Sequence, residues 1–300
     1  MNNFRMILDK FLTIVWVGVL ILVSFKVYEY ASPIWQRISN VDIIFVVVGI
    51  VVGLFFSMPS VWLLRDYFRR FDKNMSWSIA FFLMFLPALG KYIPGKVWAI
   101  GSFVLNSKNL ASIAIGDSMV FQFYFQIIGI IATSLLVIAG YFIGYEIIFS
   151  IEFLVIFLII LFTCFGLSVV LVRSMKKYQV RIQSDRIWLH VMILIGQKIM
   201  RGISLVIFIS AFMEINGNVI HILFAFFIAM QIGVLAFFAP AGLGVTEGAY
   251  IMTLSSVLGP ETAITVALLS RVWSMVLDIL LAMAALLVKK YRLIVLPEGQ

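Results

Sequence analysis

The chain has 300 residues, 63% of them hydrophobic and only 12% charged, with a formal net charge of +8. A soluble domain carries roughly a quarter of its residues as charged groups, so the composition excludes a soluble globular protein and specifies an integral membrane one. A single cysteine, Cys164, excludes an internal disulfide and a cysteine metal centre, and two distant histidines, His190 and His221, argue against a histidine one; no cofactor is expected.

In chain order, apolar runs of the roughly 20 residues that a spanning helix needs fall at 10–31, 41–64, 112–142, 147–172, 187–212 and 261–288. The first has no small-residue cleavage site and is followed by further spans, so it is read as a retained helix rather than a signal peptide. Two more stretches, 76–108 and 218–258, are apolar but interrupted. The first is broken by Pro87-Ala88-Leu89-Gly90-Lys91-Tyr92-Ile93-Pro94-Gly95-Lys96, the second by Pro240-Ala241-Gly242-Leu243-Gly244-Val245-Thr246-Glu247-Gly248. Broken backbone at membrane depth is tolerated only where protein buries it or a wet cavity borders it.

Charge orients these elements. Arg65, Arg69, Arg70 and Lys73 follow the second run; Arg173, Lys176, Lys177, Arg181 and Arg186 precede the fifth; Lys289, Lys290 and Arg292 follow the last. The positive-inside rule puts all three clusters in the cytoplasm and explains the net charge without nucleic acid as a partner. The connections at 146–152 and around Glu214 contain no basic residue and belong outside. All clusters fall on one side if 76–108 dips in from the cytoplasm and returns, and 218–258 does the same from outside. Two full passes in each stretch give the same sides, and hydropathy alone does not separate these readings.

The expected fold is therefore an all-α polytopic membrane protein forming a single domain over 1–300. It has six full transmembrane helices plus two interrupted, re-entrant hairpins. Pro240 lies 153 residues after Pro87, and the same shift carries the flanking helices approximately onto one another. The halves, about 41–142 and 187–288, thus form an inverted-topology repeat with both termini cytoplasmic. In transporters, paired interrupted segments at matching places in two halves point to the binding site.

The chemistry-bearing residues cluster at those interruptions. Pro94 suits the first turn of a helix, and the free N–H groups beside Pro94 and Gly95, with Lys91 and Lys96, make an anion site; plain snorkelling of the two lysines to the interface is the competing account. Gly242 and Gly244 permit tight turns, and Glu247 follows them as a carboxylate at membrane depth, a group that usually pairs or relays protons. Arg271 and Asp278 lie two turns apart on one face of the last helix. Trp98 lies near the first interruption as a lining residue, whereas Trp16, Trp35, Trp62, Trp77 and Trp188 read as interfacial anchors. Gly49 and Gly53 have the spacing of a close helix contact. Embedded cations (Lys91, Lys96, Lys198, Arg201, Arg271) exceed embedded carboxylates (Asp117, Glu247, Asp278) by two. Such a cavity favours an anionic ligand.

The segments Lys91-Tyr92-Ile93-Pro94-Gly95-Lys96-Val97-Trp98 and Pro240 through Gly248, with Leu268-Leu269-Ser270-Arg271 through Asp278, resemble the lysylphosphatidylglycerol synthase transmembrane-domain family, the YbhN-like membrane proteins. The resemblance covers roughly 40–290. In the multiple peptide resistance factors this domain acts as a lipid flippase beside a separate soluble synthase domain, which this chain lacks, so synthase activity does not carry over. Thr246 stands where many relatives carry a basic residue, which leaves the headgroup open.

The resulting expectation is a lipid translocase (flippase) that is not an enzyme. It moves an anionic phospholipid or a polyprenyl-phosphate-linked glycolipid across the cytoplasmic (inner) membrane, in cell-envelope lipid transport or polysaccharide biosynthesis. The alternative is a non-transporting partner of a surface-glycan glycosyltransferase or lipid synthase. Besides the lipid, a second copy of the chain and a glycosyltransferase are the partner classes left open.

Overall fold

A computed structural model describes residues 41–71, 73–93, 97–142, 186–215, 217–236 and 239–290, with Ile21, Phe25 and Tyr28. Apart from those three residues, the expected span at 10–31 lies outside the described residues, as do the one at 147–172 and the site candidates Pro94, Gly95 and Lys96. The described residues are helical with short turns. They form α1 (Ile43–Phe55), α2 (Pro59–Arg69), α3 (Trp77–Phe85), a 3-10 turn A (Pro87–Tyr92), α4 (Val97–Ala111), α5 (Ile115–Phe142), α6 (Ile187–Ser210), α7 (Val219–Leu235), a 3-10 turn B (Pro240–Gly242), α8 (Val245–Leu258) and α9 (Pro260–Lys290).

Four helical segments are long and apolar enough to cross a membrane: Ile43–Arg69, Ile115–Gly140, Ile187–Ser210 and Pro260–Lys289. The first is α1 and α2 in series. The run at 41–64, expected as one helix, is broken at 56–58 and resumes at Pro59, which needs no N–H partner in a first turn. Ser57 bonds back to the Gly53 carbonyl at 2.8 Å, occupying an acceptor at the break. The interrupted stretches resolve into short helix, 3-10 turn, short helix: α3–turn A–α4 and α7–turn B–α8. Ser76 caps α3 through the Ile79 N–H at 3.2 Å, an N-cap that satisfies one orphan donor.

The two halves exchange helices. α5, which ends the first half, packs on α6 and α7 of the second; α9, which ends the second, packs on α1 and α3 of the first. The opening helices also pair directly, and they run antiparallel. The Asp42 N–H meets the Ala211 carbonyl at 3.0 Å, Ser204 donates to the Gly49 carbonyl at 2.6 Å, Ser60 meets Gln197 at 3.1 Å, and Arg186 meets Asp66 at 3.3 Å. Position thus rises along α1–α2 as it falls along α6.

Each half has its own apolar cluster, and the long helices thread both. α9 gives Ala263, Leu269 and Trp273 to the second cluster but Ala282 and Ala285 to the first. α5 does the reverse, with Phe121 and Ile128 in the first and Val137 in the second. The outward face of α1, with Ile43, Ile44, Val47, Val51 and Phe55 all more than half exposed, has the apolar character of a surface against lipid.

Candidate functional site

Turns A and B touch each other, so the two interruptions meet, and α9 passes beside both. α9 is 31 residues long, about 46 Å at 1.5 Å per residue, and Met275 is its central residue. Arg271 and Asp278 lie four residues before and three after it, within about 6 Å of the helix midpoint. The meeting point is therefore near the middle of α9.

Asp278 faces turn A. Its Oδ2 takes Lys91 Nζ at 2.6 Å and the Tyr92 hydroxyl, donating, at 2.6 Å. The Lys91 side chain is 38% exposed and that of Asp278 13%. Arg271 faces turn B. Its Nη1 donates to the Ala241 carbonyl at 2.9 Å, and its Nε lies 3.4 Å from Glu247 Oε1. That approach is an ion pair by distance but lacks hydrogen-bond geometry: among the described residues, Arg271 Nε, Arg271 Nη2 and Glu247 Oε1 all remain without hydrogen-bond partners. The other Glu247 oxygen accepts from Thr246 at 2.8 Å. Tyr92 joins the two halves of the cluster, with Lys91 Nζ 5.3 Å and the Arg271 guanidinium 5.9 Å from its ring centroid, within cation–π range.

The backbone of turn B is shaped for this. Ala241, Gly242 and Gly244 have φ of +49°, +72° and +78°, a region that glycine enters freely and other residues rarely. The tight turn points the Ala241 carbonyl at Arg271, and Gly244 then starts α8, whose first turn carries Glu247. A carboxylate there complements the helix dipole.

Of the residues expected from sequence, Lys91, Gly242, Gly244, Glu247, Arg271 and Asp278 are brought to one place. Trp98 is 60% exposed on α4 rather than turned among the charges. Asp117 lies in the first turn of α5, away from mid-helix, which removes it from the count of embedded carboxylates. Tyr92 is the site residue that sequence reasoning did not weigh as a ligand. The one signal available was its position beside Lys91 in the interrupted segment.

α6 adds a polar row through its middle. Gln197 bonds to Ser60 and to the Ser57 carbonyl. Ser204 bonds to Gly49 and receives the Trp273 indole N–H at 3.1 Å. Between them are Lys198 and Arg201. The Arg201 guanidinium lies 5.5 Å from the Trp273 ring centroid, and its Nε is buried without a hydrogen-bond partner among the described residues.

Toward the basic-loop end, a second polar network crosses the halves. Asp66 takes Arg70 and Arg186 at 3.3 Å each and His190 Nε2 at 3.0 Å, and Tyr124 meets His190 Nδ1. These groups satisfy one another and tie α2, α5 and α6. An open hollow of about 640 Å³ between Val41–Ile44 and Ser210–Glu214 lies at the opposite helix ends, away from the charged cluster.

No family model, curated protein or solved structure matches the chain.

Proposed function

We propose that this chain is a lipid translocase of the cytoplasmic membrane and a relative of the lysylphosphatidylglycerol synthase transmembrane-domain family. Its cargo is an anionic phospholipid or a polyprenyl-phosphate-linked glycolipid. One observation carries the reading: two interrupted segments meet at mid-helix around a charge cluster that retains unmade donors on Arg271. A buried donor without a partner is costly, and a phosphate oxygen is the acceptor such a guanidinium fits best. Lys91, with a side chain 38% exposed, is reachable by a headgroup. Glu247 and Asp278 hold the cations in place and accept protons or yield their partners as the ligand arrives. The function is binding and movement, not bond chemistry.

In this reading the fold has six spans and two re-entrant hairpins in an inverted repeat, with both termini in the cytoplasm. The antiparallel pairing of α1–α2 with α6 supports it, since these open the two halves. So does the exchange of α5 and α9 between halves. Rocking of one half against the other around a fixed midplane site is the movement such repeats perform.

The test is lipid movement in proteoliposomes. Purified protein is reconstituted with head-labelled phosphatidylglycerol or a labelled polyprenyl phosphate, and loss of inner-leaflet label is followed with a membrane-impermeant quencher. The expected result is transport above protein-free vesicles for at least one lipid, reduced several-fold by Arg271→Ala with Glu247→Gln and by Lys96→Ala. Rates equal to protein-free vesicles for both lipids overturn the proposal.

A further inference from the structure

The two ion pairs at the meeting point offset the charge of the cations first expected to hold a phosphate, Lys91 by Asp278 and Arg271 by Glu247, although Arg271 keeps donors unmade. Among the described residues at mid-helix, this leaves Lys198 and Arg201, on adjacent turns of α6, whose 24 residues are centred at Lys198–Ile199. Their polar neighbours on α6 are accounted for by helix packing: Gln197 by Ser57 and Ser60, Ser204 by Gly49 and Trp273. Lys198 and Arg201 have no carboxylate in ion-pairing reach among the described residues, and Lys198 feels the charge of Arg201. Arg201 also lies near enough to Asp278 and Tyr92 to interact with both, so it borders the same cluster. Trp273, itself fixed by Ser204, lies 5.5 Å from the Arg201 guanidinium, within cation–π range, a contact that uses none of the guanidinium's N–H donors.

We propose that Arg201 and Lys198 form a phosphoryl-binding subsite beside the Arg271 donors, and that its two positive charges, neither ion-paired among the described residues, select a phosphoryl group of charge near −2, a phosphomonoester or a diphosphate, over a phosphodiester of charge −1. A phosphomonoester carries about −1.5 to −2 at pH 7. It cancels the repulsion between the two cations and fills the open Arg201 Nε–H. A phosphodiester leaves one charge uncompensated. In the setting of a translocase, on which this assignment of cargo rests, the ligand is a lipid ending in a phosphomonoester or diphosphate.

The experiment measures binding to the purified full chain at pH 8 by calorimetry. The probes are dihexanoyl phosphatidic acid, dihexanoyl phosphatidylglycerol and inorganic pyrophosphate. Wild-type protein binds phosphatidic acid at least about tenfold more tightly than phosphatidylglycerol. Arg201→Gln and Lys198→Gln each weaken the former about tenfold or more, the scale of a lost charge-assisted hydrogen bond. Arg201→Lys restores part of it. A purely structural Arg201 predicts a lower melting temperature for Arg201→Gln without ligand. The subsite predicts an unchanged or higher one, because an uncompensated embedded charge is removed. Equal affinity for the two lipids, or wild-type affinity in both glutamine variants, overturns the proposal. Pyrophosphate binding as tight as phosphatidic acid and equally sensitive to Arg201→Gln upholds the subsite but assigns it a soluble ligand, and so counts against the translocase alone. Transport in proteoliposomes that is insensitive to both glutamine substitutions does the reverse.

Discussion

Arg271 serves two stretches of chain at once, the Ala241 carbonyl of turn B and the Glu247 carboxylate of α8, from a position only 6% exposed. The Lys91–Asp278 pair is more exposed on its cationic side. The two pairs should therefore respond differently when cut. Arg271→Ala strands a carboxylate that is 13% exposed and should cost on the order of 3–5 kcal/mol, the usual penalty for an abandoned buried charge. Adding Glu247→Gln should recover much of that loss. Asp278→Asn leaves Lys91 partly solvated, and its cost should stay near about 1 kcal/mol after screening. Thermal denaturation in detergent, run as a double-mutant cycle, reads all three. Equal losses for Arg271→Ala and Asp278→Asn would show that burial does not rank these pairs. At this scale the sequence made the charges conspicuous, because ionisable groups inside apolar runs are expensive. It did not reveal who pairs with whom. Lys91 and Asp278 are 187 positions apart, and Tyr92 is one of 10 tyrosines in an aromatic-rich chain. Only its place beside Lys91 in the interrupted segment distinguishes it.

The elements were more legible than their joints. Four expected runs coincide with helical spans, because about 20 apolar residues leave a chain in lipid little choice but a helix. The break at 56–58 was hidden, since Pro59 sits in an otherwise continuous apolar run and costs nothing at a helix start. The spacing of Gly49 and Gly53 did announce a contact. A β-carbon at Gly49 would stand 2.9 Å from the Phe208 backbone nitrogen, and one at Gly53 would stand 2.7 Å from both Leu277 Cδ1 and Ser204 Oγ. Here α1 packs tightly on α6 and α9, beside the Ser204–Trp273 hydrogen bond. Gly53→Val should therefore force α1 outward and destabilise by about 1–3 kcal/mol, the range for overpacking. Gly129→Ala, on α5 with open space at its β-carbon, should instead be neutral or stabilising by up to about 1 kcal/mol through helix propensity. Melting temperatures of the two variants decide this. A Gly53→Val protein as stable as the wild type would mean that the α1–α6 contact is loose.

At the scale of the whole molecule, neither half closes its core alone. The first cluster needs Met275, Ala282 and Ala285 of α9, and the second needs Val137 of α5. That exchange was not readable from hydropathy, which reports which residues avoid water but not which helix they face. The antiparallel sense of α1–α2 against α6, however, agrees with the side assignments drawn from basic loops. The two lines of argument are independent, one from charge and one from contacts. Asp42 is hydrogen-bonded to Ala211, next to Glu214, at one end, and Asp66 meets Arg186 at the other. Between Arg186 and Glu214 runs α6, 24 residues long and so about 36 Å, enough to cross a hydrocarbon core of roughly 30 Å. Labelling with a membrane-impermeant maleimide should follow. In a Cys164→Ser background, Asp42→Cys and Glu214→Cys should both react in intact cells. Lys176→Cys and Lys289→Cys should react only after permeabilisation. If Asp42→Cys and Glu214→Cys label from opposite sides, the antiparallel pairing is wrong and the inverted repeat fails with it. If both label only after permeabilisation, the pairing stands but the molecule is turned over, and the basic loops do not set its orientation.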